Sequence, residues 1–377
     1  MEFQYFLPVN LSFGCDKLMT LGEETAKYGK KAFLVTGKGS TKKTGLLDKA
    51  VSILEKQGIS THIFDAVSPN PTADIVYAGK TELEQNKCDV VVALGGGSII
   101  DCAKAIAFAA CNEGDIFDYI YGIKSGEKAL PLIAVPTTCG TGSEGNCFAV
   151  LTNTENGDKK SLRNIISVPK VSIIDPKLML TMPDHVAASV MFDALCHNIE
   201  AYLSRSTQPI VEMQALYAIQ LWKQYAIRAY EDHMDMEAWS GITLASTLGG
   251  MCINMAGVTA AHGMEHPASG LRNIVHGRGL AALAPVIYQE TIDYAPDKFQ
   301  KLSLLLGGTS SEDFVDTLKL ILEKLNLRTT LSAEGIKEAD IDWMTENCMK
   351  VSAASMNAHP RVFTKEEIKK LYWKAYI

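Results

Sequence analysis

Apolar residues follow two spacings in the first half of the chain. Short runs of consecutive apolar residues, typical of strands buried on both faces, alternate with segments whose apolar residues recur at helical spacing. The predicted strands cover residues 32–37, 61–67, 89–98 and 129–138. The predicted helices cover residues 46–58, 72–86 and 98–111. This β-α-β-α order predicts a parallel sheet with helices on its faces.

The pattern changes near residue 181, after which apolar residues keep helical spacing and strand signals stop. MFDALCHNIEAYL, MQALYAIQLW and FVDTLKLILEKL are examples. Pro176 and Pro183 bracket a turn, and we place a domain boundary in segment 175–184. The fold class is therefore α/β plus all-α. A Rossmann-like parallel-sheet domain is predicted over 1–180 and a helical domain over 181–377.

Composition and charge narrow the possible functions. The 377 residues have a net charge of −7, which argues against a nucleic-acid partner because phosphate backbones select basic surfaces. Charged residues interrupt the longest apolar segments, so we predict no membrane span. The chain starts without a basic stretch followed by an apolar run, so no signal peptide is expected. Nine cysteines without a CxxC pair indicate free thiols in a reducing cytoplasm.

The segment LGGGSIID places three glycines between a predicted strand and a predicted helix. Glycine lets the backbone approach a ligand closely, and the free N–H groups at a helix start attract phosphate. A plain turn would need one glycine rather than Gly95, Gly96 and Gly97 together, and Ser98 is expected to cap the helix. We therefore interpret this loop as a pyrophosphate site, although it does not match the GxGxxG pattern of ordinary Rossmann domains.

A second polar loop, PTTCGTGSE, follows the next predicted strand. It offers hydroxyl groups from Thr137, Thr138, Thr141 and Ser143 at the end of a sheet strand, where open α/β sheets bind ligands. Taken alone, the loop is explained equally well as an ordinary polar connection.

The segment TGKGSTKK follows the first predicted strand and resembles a contact to the adenosine end of a dinucleotide. Sites for NAD usually place an acidic residue here to hold the ribose diol. Gly37 and Lys38 stand there instead, with Ser40, Lys42 and Lys43 close by. These lysines favour a 2′-phosphate and hence NADP, whereas a solvated lysine cluster is the alternative interpretation.

Five side chains of the second half have the chemistry and spacing of a metal site. Asp193 and His197 in DALCH, like His262 and His266 in HGMEH, are four residues apart and share a helix face. His276 follows in VHGRG, where flanking glycines let the backbone bend. Asp193, His197, His262 and His276 can together hold a divalent cation, and His266 is placed to carry a proton. Any one of these histidines alone would more simply be a buried structural residue.

The HxxxH spacing also occurs in zinc peptidases, where the general base directly follows the first histidine. That position is Gly263 here, and Glu265 is expected to point elsewhere on the helix. A peptidase would also leave the glycine loop unexplained. His359 is expected to have no catalytic role.

In their order and separation, the motifs GGGSIID, PTTCGTGSE, DALCH, HGMEH and VHGRG resemble those of the iron-containing (group III) alcohol dehydrogenases over nearly the whole chain. The resemblance implies the dehydroquinate synthase-like fold of that family, with a nicotinamide cofactor in the cleft between the domains. It implies Fe²⁺ or Zn²⁺ on Asp193, His197, His262 and His276, with His266 beside the substrate. The residues expected to contact the cofactor are Gly37, Ser40, Gly95, Gly96, Gly97, Ser98, Asp101, Thr137, Thr138, Thr141, Ser143, Phe148 and Lys160, with the neighbouring Lys159 as the alternative to Lys160.

Similarity to the butanol-dehydrogenase and aldehyde-reductase branch implies a small primary alcohol or aldehyde as substrate and NADP in preference to NAD. It also implies a homodimer or larger homo-oligomer. The metal would polarise the substrate oxygen while the cofactor carries the hydride. Met191 and Phe192 depart from the family pattern, which has a small residue before Asp193, and they predict a narrower pocket or a shifted helix.

Three other functions stay open at this point. A glycerol-dehydrogenase-like polyol enzyme shares the motifs. A dehydroquinate-synthase-like lyase shares the two-domain plan, but it needs a basic pocket, and the metal motifs supply only Arg272 and Arg278. A non-catalytic metal-binding or scaffold protein would leave the glycine loop without a purpose.

Overall fold

Eight strands and sixteen α-helices make up the computed structural model, which describes residues 2–377. The strands are β1 (Asn10–Phe13), β2 (Lys31–Gly37), β3 (Ser60–Val67), β4 (Val90–Gly95), β5 (Leu132–Pro136), β6 (Phe148–Thr152), β7 (Lys159–Arg163) and β8 (Val171–Ile174). The helices are α1 (Leu21–Ala26), α2 (Ser40–Lys43), α3 (Leu46–Lys56), α4 (Ala73–Gln85), α5 (Gly97–Ala109), α6 (Ile116–Ile120), α7 (Asp184–Leu203), α8 (Pro209–Glu231), α9 (Met236–Ala256), α10 (Ala260–Arg272), α11 (His276–Gln289), α12 (Pro296–Leu306), α13 (Phe314–Lys324), α14 (Asp340–Val351), α15 (Ala353–Ala358) and α16 (Lys365–Tyr376).

Six of the strands form one parallel sheet, which confirms the predicted fold class. Its strand order is β1-β8-β5-β4-β2-β3. Because β3 and β4 lie on opposite sides of β2, the order reverses between β2 and β4. Sheets of this kind bind ligands outside the carboxyl ends of the strands at such a reversal. The loops after β2 and β4, which the sequence analysis singled out, both start there.

Both faces of the sheet are covered, which explains why its strands read as continuous apolar runs. In β2, Ala32 and Leu34 pack on the side of α3, whereas Phe33 and Val35 pack on the side of α4 and α5. All six residues of β4 are buried. Successive side chains of a strand point to opposite faces, so each face receives its own apolar set.

An antiparallel hairpin of β6 and β7 stands apart from the main sheet and was not predicted from the sequence. Phe148 pairs with Arg163, and Thr152 pairs with Lys159 at the turn end. The hairpin packs against α5 and carries side chains into the site described below. The segment KKSLR of β7 is too basic and too short to give an apolar strand pattern.

The second half is helical, as predicted, and α7 to α16 share one apolar core. Trp222 and Trp239 are buried within it, and Nε1 of Trp222 donates a hydrogen bond to the backbone oxygen of Met191 at 2.6 Å. We propose that the domain boundary lies in segment 175–184, where a 3-10 turn links β8 to α7. In residues 2–377 no single helix is long and apolar enough to cross a membrane, although α9 and α10, bent by 101°, pass that test as a pair.

Two local predictions differ from the structure. The strand predicted over 129–138 covers only Leu132–Pro136, because the residues before it lie against the end of α5, with the Leu130 backbone N–H bonded to the oxygen of Ala107. Helix α5 begins at Gly97, so its N-cap is Gly96 without a side-chain hydrogen bond. Ser98 therefore lies within the first turn and is not the cap that was predicted.

Candidate metal and cofactor site

A cleft opens between the carboxyl end of the sheet, the β6–β7 hairpin and the helices α7, α10 and α11. Measured to its open mouth, it has a volume of about 750 Å³. Gly97 and Ser98 line one part of it, and Asp193 with the clustered histidines lines another. Polar groups that converge in such a cleft are the usual sign of a ligand site.

The predicted metal ligands meet around one carboxylate oxygen. Oδ1 of Asp193 lies 3.3 Å from Nε2 of His262, 3.6 Å from Nε2 of His276 and 3.6 Å from Nδ1 of His197. Asp193 and His197 share a face of α7, His262 lies on α10, and His276 is the first residue of α11. Three helices thus bring together residues that are far apart in the sequence.

The four residues are not equivalent in this arrangement. Single donor atoms of Asp193, His262 and His276 all lie within 4.8 Å of one another. His197 stacks on the ring of His262, with centroids 4.5 Å apart, but its Nδ1 also faces the backbone oxygen of Gly140 at 3.3 Å. His276 belongs to a second such group as well, with Glu265 and His266.

Two buried glutamates stand behind the imidazoles. Oε2 of Glu200 contacts Nδ1 of His262, and Oε2 of Glu265 contacts Nδ1 of His276. Both glutamates are fully buried, with 0% of their surface exposed. An ionised carboxylate only accepts hydrogen bonds, so each Nδ1 must carry the hydrogen. Each ring consequently turns its Nε2 toward Asp193.

This donor set fits a divalent cation. With Nδ1 bonded to a buried glutamate, each ring presents Nε2 to the carboxylate oxygen of Asp193, and a proton on Nε2 or a cation that replaces it can bridge the two groups. A carboxylate behind each imidazole is also the common arrangement in metal sites, where it fixes the ring orientation and raises the ligand's basicity. Carboxylate and imidazole ligands accept both Fe²⁺ and Zn²⁺.

Burial and charge act against each other in this cluster. Burial raises the pKa of Asp193, but the surrounding imidazoles outweigh it and hold that pKa well below its usual range. Burial lowers the pKa of His262, but the charges of Glu200 and Asp193 outweigh it and raise that pKa to about 10. Burial dominates at His197 and lowers its pKa to about 4. The carboxyl groups of Asp193, Glu200 and Glu265 are therefore ionised, and their negative charge would attract a cation to the imidazoles between them.

His266 lies beside the cluster and lines the same cleft. Its ring centroid is 5.7 Å from that of His276 and 6.1 Å from that of His262. Burial, followed by the charge of Lys159, lowers the pKa of His266 well below its usual value. The ring is therefore neutral near pH 7 and has one nitrogen that can accept a proton.

The predicted cofactor residues divide into two groups. Those that line the cleft are Gly97, Ser98, Asp101, Thr141, Ser143 and Phe148. Those that lie outside its lining are Gly37, Ser40, Gly95, Gly96, Thr137, Thr138 and Lys160. The structure thus brings the helix start and the second polar loop to the cleft and leaves the loop after β2 beyond it.

Close packing within the protein also requires the three glycines. A Cβ at Gly96 would lie 3.0 Å from Oγ1 of Thr138, and a Cβ at Gly97 would lie 2.4 Å from Cγ2 of Thr141. A Cβ at Gly95 would lie 2.5 Å from Cγ1 of Ile99. A bound ligand is therefore not needed to explain the three glycines, because the PTTCGTGSE loop packs on Gly96 and Gly97 and the side chain of Ile99 packs on Gly95.

A buried polar network fixes that loop to α5. Oγ of Ser143 donates to Oδ1 of Asp101 at 2.5 Å. Nζ of Lys104 donates to the backbone oxygens of Ser143 at 2.6 Å and Phe148 at 2.8 Å, and to Oδ1 of Asn146 at 3.0 Å. Burial lowers the pKa of Lys104 to about 8, although the nearby charge of Asp101 acts against this. The network sets the positions of both the second polar loop and the hairpin.

The loop after β2 has fewer free charges than the sequence suggested. Gly37 ends β2, and Ser40 begins the short helix α2. Lys42 pairs with Asp65 on β3, whereas Lys38 and Lys43 are exposed. Two of the three lysines therefore stay available to a phosphate.

The lysine that reaches the cleft is Lys159 rather than Lys160. Side chains alternate along β7, so the two lysines point to opposite sides of the hairpin. Nζ of Lys159 donates to Oδ1 of Asn70 at 2.9 Å and to Oγ of Ser269 at 2.8 Å. Lys160 instead lies over the ring of Tyr121, 5.6 Å from its centroid. The cofactor contact of Lys160 stays a prediction, and the geometry favours its alternative, Lys159.

Met191 and Phe192 do not line the cleft, so the narrower pocket expected from their size is corrected, while the alternative, a shifted helix, stays a prediction. Both are fully buried in the core of the helical half and are absent from the residues that line the cleft. Their bulk packs behind α7, on the side away from the substrate region.

Several residues of the site were missed by the sequence reasoning. Glu200 lies seven residues after Asp193 and three after His197, so helical spacing already placed it on the same face of α7. Glu265 was expected to point away, yet it contacts His276 because α11 starts beside α10. Lys104 gave no signal, because it lies in an apolar helix where a lysine normally reaches solvent.

Comparisons with known proteins agree with this geometry. Residues 8–176 match the family model described as iron-containing alcohol dehydrogenase, and residues 187–376 match the C-terminal model of the same family. The 1,3-propanediol dehydrogenase of Klebsiella pneumoniae is 35% identical over 99% of both chains. The NADH-dependent butanol dehydrogenase B of Clostridium acetobutylicum is 32% identical over 94% of this chain and 95% of that protein. The NADPH-dependent butanol dehydrogenase of Clostridium saccharobutylicum is 30% identical over 99% and 98%.

Solved structures of this fold extend the agreement. An archaeal alcohol dehydrogenase from a Red Sea brine pool superposes with a TM-score of 0.95 at 34% identity and covers 100% of this chain and 99% of that one. The sulfoacetaldehyde reductase of Bifidobacterium kashiwanohense, solved with NAD⁺, superposes with a TM-score of 0.89 at 27% identity over 99% of both chains. With both halves matched and the motifs gathered in one cleft, the chain belongs to the iron-containing (group III) alcohol dehydrogenase family and is an oxidoreductase.

Proposed function

We propose that this protein is a metal-dependent alcohol dehydrogenase and aldehyde reductase. It transfers a hydride between a nicotinamide cofactor, NADP in preference to NAD, and a small primary alcohol or aldehyde. One observation carries the proposal: Oδ1 of Asp193 has three imidazole nitrogens within 3.6 Å, in the cleft that also receives the glycine loop. The metal-ligating groups and the cofactor loop therefore open onto one space.

Asp193, His197, His262 and His276 would hold Fe²⁺ or Zn²⁺, and the bound cation would polarise the oxygen of the substrate. Glu200 and Glu265 fix the two imidazoles whose Nε2 atoms face Asp193. Because both carboxylates are buried, solvent does not compete for these contacts and the rings stay oriented.

The free N–H groups at the start of α5 would bind the pyrophosphate of the cofactor. Thr141 and Phe148 line the adjoining wall and would position the nicotinamide end. His266 would accept the proton released by an alcohol at a ring nitrogen, since its depressed pKa leaves that nitrogen unprotonated. In the reverse direction the ring would first take up a proton from solvent and then pass it to the reduced aldehyde. Closure of the cleft on the cofactor would exclude water from the transfer.

The preference for NADP is supported by the loop after β2. No acidic residue ends β2, and Lys38 and Lys43 are exposed nearby. The relatives described above include NADH-dependent and NADPH-dependent enzymes, so the family alone does not decide between the cofactors.

A short diol is the alternative substrate, favoured by the similarity to 1,3-propanediol dehydrogenases. The dehydroquinate-synthase-like lyase is less well supported, because membership of a dehydrogenase family favours net turnover of the cofactor. A strict preference for diols in a substrate screen would select the polyol enzyme. A homodimer remains a prediction from the family resemblance.

The experiment that tests the proposal is a matrix of NADH and NADPH against short aldehydes and diols. It uses protein stripped of metal and then refilled with Fe²⁺ or Zn²⁺, with absorbance followed at the reduced-nicotinamide band. We expect turnover only in refilled protein, with NADPH the better cofactor. Turnover that is equal in stripped and refilled protein would contradict the metal-dependent function.

A further inference from the structure

One positively charged side chain of the cleft, that of Arg163, forms no ion pair within the part of the protein that the structure describes. Arg163, the last residue of β7, lines the cleft together with Phe148 and His266. Within residues 2–377 no carboxylate lies at ion-pair distance from its guanidinium, and the charged or titratable groups near it are the Cys147 thiol, Lys160 and His266. Most other arginines of the chain are paired with carboxylates, namely Arg228, Arg272, Arg278, Arg328 and Arg361.

The guanidinium of Arg163 is held in place without using its hydrogen-bond donors. Its central carbon lies 4.5 Å from the ring centroid of Phe148, its partner in the hairpin register. The backbone of Phe148 is itself fixed, because its oxygen accepts from Nζ of Lys104 at 2.8 Å and its N–H donates to Asn146 at 2.9 Å. The hairpin therefore presents Arg163 from a rigid support.

Stacking on an aromatic ring uses the face of a guanidinium and leaves the N–H groups in its plane free. That fork matches a carboxylate, sulfonate or phosphate, which it can bind through two parallel hydrogen bonds. Arg163 is exposed where it lines the cleft, so an anion can reach this fork without displacing a group of the protein.

The other charged side chains of the cleft do not neutralise Arg163. Lys159, on the same side of β7, donates only to the neutral oxygens of Asn70 and Ser269, with Glu265 beyond Ser269. The acidic Asp101 of the cleft is held by Ser143 next to the buried Lys104. The acidic side chains that line the cleft, Asp101 and Asp193, are thus bonded to other partners, and neither pairs with Arg163.

We propose that the substrate is a short aldehyde, or the matching alcohol, that carries an anionic carboxylate or sulfonate at its far end, and that Arg163 binds this group. The proposal rests on the dehydrogenase function and names the substrate class of the same site. The reacting carbonyl lies toward His266 and the metal-ligating cluster, while the anion lies against the hairpin. One structural relative is a sulfoacetaldehyde reductase, and sulfoacetaldehyde is an aldehyde that bears a sulfonate.

The test compares two aldehydes of equal chain length, butanal and 4-oxobutanoate, in metal-loaded protein. Wild type turns over 4-oxobutanoate with the higher kcat/KM. In R163Q the ratio of the two kcat/KM values falls about 10- to 100-fold, the range expected for one lost charge-assisted contact. R163K restores part of the ratio, because it returns the charge without the fork. R205Q, a matched loss of an exposed arginine outside the cleft, leaves the ratio as in wild type.

Two results would overturn the proposal. One is an unchanged ratio in R163Q together with a raised KM for NADPH, which would assign Arg163 to the cofactor phosphates. The other is a ratio that falls equally in R205Q, which would reflect the overall charge of the protein.

A binding measurement separates this proposal from the dehydrogenase function. Calorimetric titration of ethanesulfonate needs no turnover. If no aldehyde is reduced by any form of the protein, the dehydrogenase proposal fails, yet binding that is present in wild type and lost in R163Q still supports the anion site. Equal binding by both proteins, or none by either, would contradict it.

Discussion

The sheet half and the helical half build their parts of the site in different ways. The sheet half uses backbone at strand ends, where Gly95, Gly96 and Gly97 let α5 start against the PTTCGTGSE loop. The helical half uses side chains from three separate helices, and each of two imidazoles is backed by a buried glutamate. A contiguous motif can therefore specify the cofactor loop, whereas the metal cluster depends on how distant helices pack.

The largest expected effect concerns a ligand of the helical half. His262→Ala removes the imidazole that links Asp193 to Glu200, leaving two buried carboxylates without their partner. We expect most of the bound metal to be lost and activity with it, as measured by elemental analysis of the purified protein. Full metal content with full activity in this variant would refute the ligand assignment.

Replacing the neighbouring histidine separates proton transfer from metal binding. His266→Ala removes a ring that lines the cleft but contributes to the proposed mechanism only as a proton carrier. We expect full metal content and a kcat lower by about 10²- to 10⁴-fold, the usual contribution of general acid–base catalysis. Loss of metal in H266A to the same extent as in H262A would instead make His266 a ligand.

The supporting glutamates should matter less than the ligands. Glu200→Gln keeps the shape of the side chain but replaces the carboxylate at Nδ1 of His262. We expect metal affinity to fall about 10- to 100-fold, as is typical when a partner behind a metal-binding imidazole is lost. Competition with a chromogenic chelator measures this directly. Glu212→Gln, on the surface of α8, serves as the control, and an affinity equal to wild type in E200Q would mean that Glu200 only packs.

The sheet half should respond to backbone crowding. Gly97→Ala places a Cβ 2.4 Å from Cγ2 of Thr141. Overpacking of this kind costs about 1–3 kcal/mol. We expect G97A to bind NADPH more weakly than wild type, by fluorescence titration, with its metal content unchanged. Loss of metal in G97A would contradict the separation between the two halves.

The smallest effect identifies a histidine of the helical half that is structural. His359 is buried between Thr259 and Thr291, and burial lowers its pKa to about 4. The unfolded chain takes up this proton first as the pH falls, so stability is fully present above pH ~6.5 and is lost toward pH 4. Between pH 7.5 and 5 this linkage lowers the free energy of unfolding by about 2 kcal/mol. In urea unfolding, the free energy of unfolding of His359→Gln should therefore fall by about 2 kcal/mol less than that of wild type between pH 7.5 and 5. The same pH dependence in both proteins would contradict the structural role of His359.

Much of the fold could be predicted because the spacing of apolar residues along the chain distinguishes buried strands from helices. Apolar runs predicted four of the six sheet strands, β2 to β5, and helical periodicity predicted the second half; β1 and β8, of four residues each, were too short to be recognised by this pattern. The β6–β7 hairpin was not predicted because β7 is short and basic and so lacks an apolar strand pattern. For the same reason the sequence could not choose between Lys159 and Lys160, since the choice depends on which side of the hairpin each residue faces.

The metal cluster was partly predictable for a related reason. Spacing of four residues placed Asp193 with His197 and His262 with His266 on shared helix faces. The same logic reaches Glu200, which continues the face of α7. Glu265 and Arg163 could not be found this way, because their partners lie on other elements and only the packing of those elements brings them to the cleft.

Anomalous diffraction at the metal edge, from crystals of the protein loaded with Fe²⁺ or Zn²⁺, tests the central claim most directly. We predict one strong peak bounded by Asp193, His197 and the Nε2 atoms of His262 and His276, at ligand distances of about 2.0–2.2 Å. A peak among Glu265, His266 and His276 instead, or no peak in the cleft of protein that contains one metal per chain, would contradict the account.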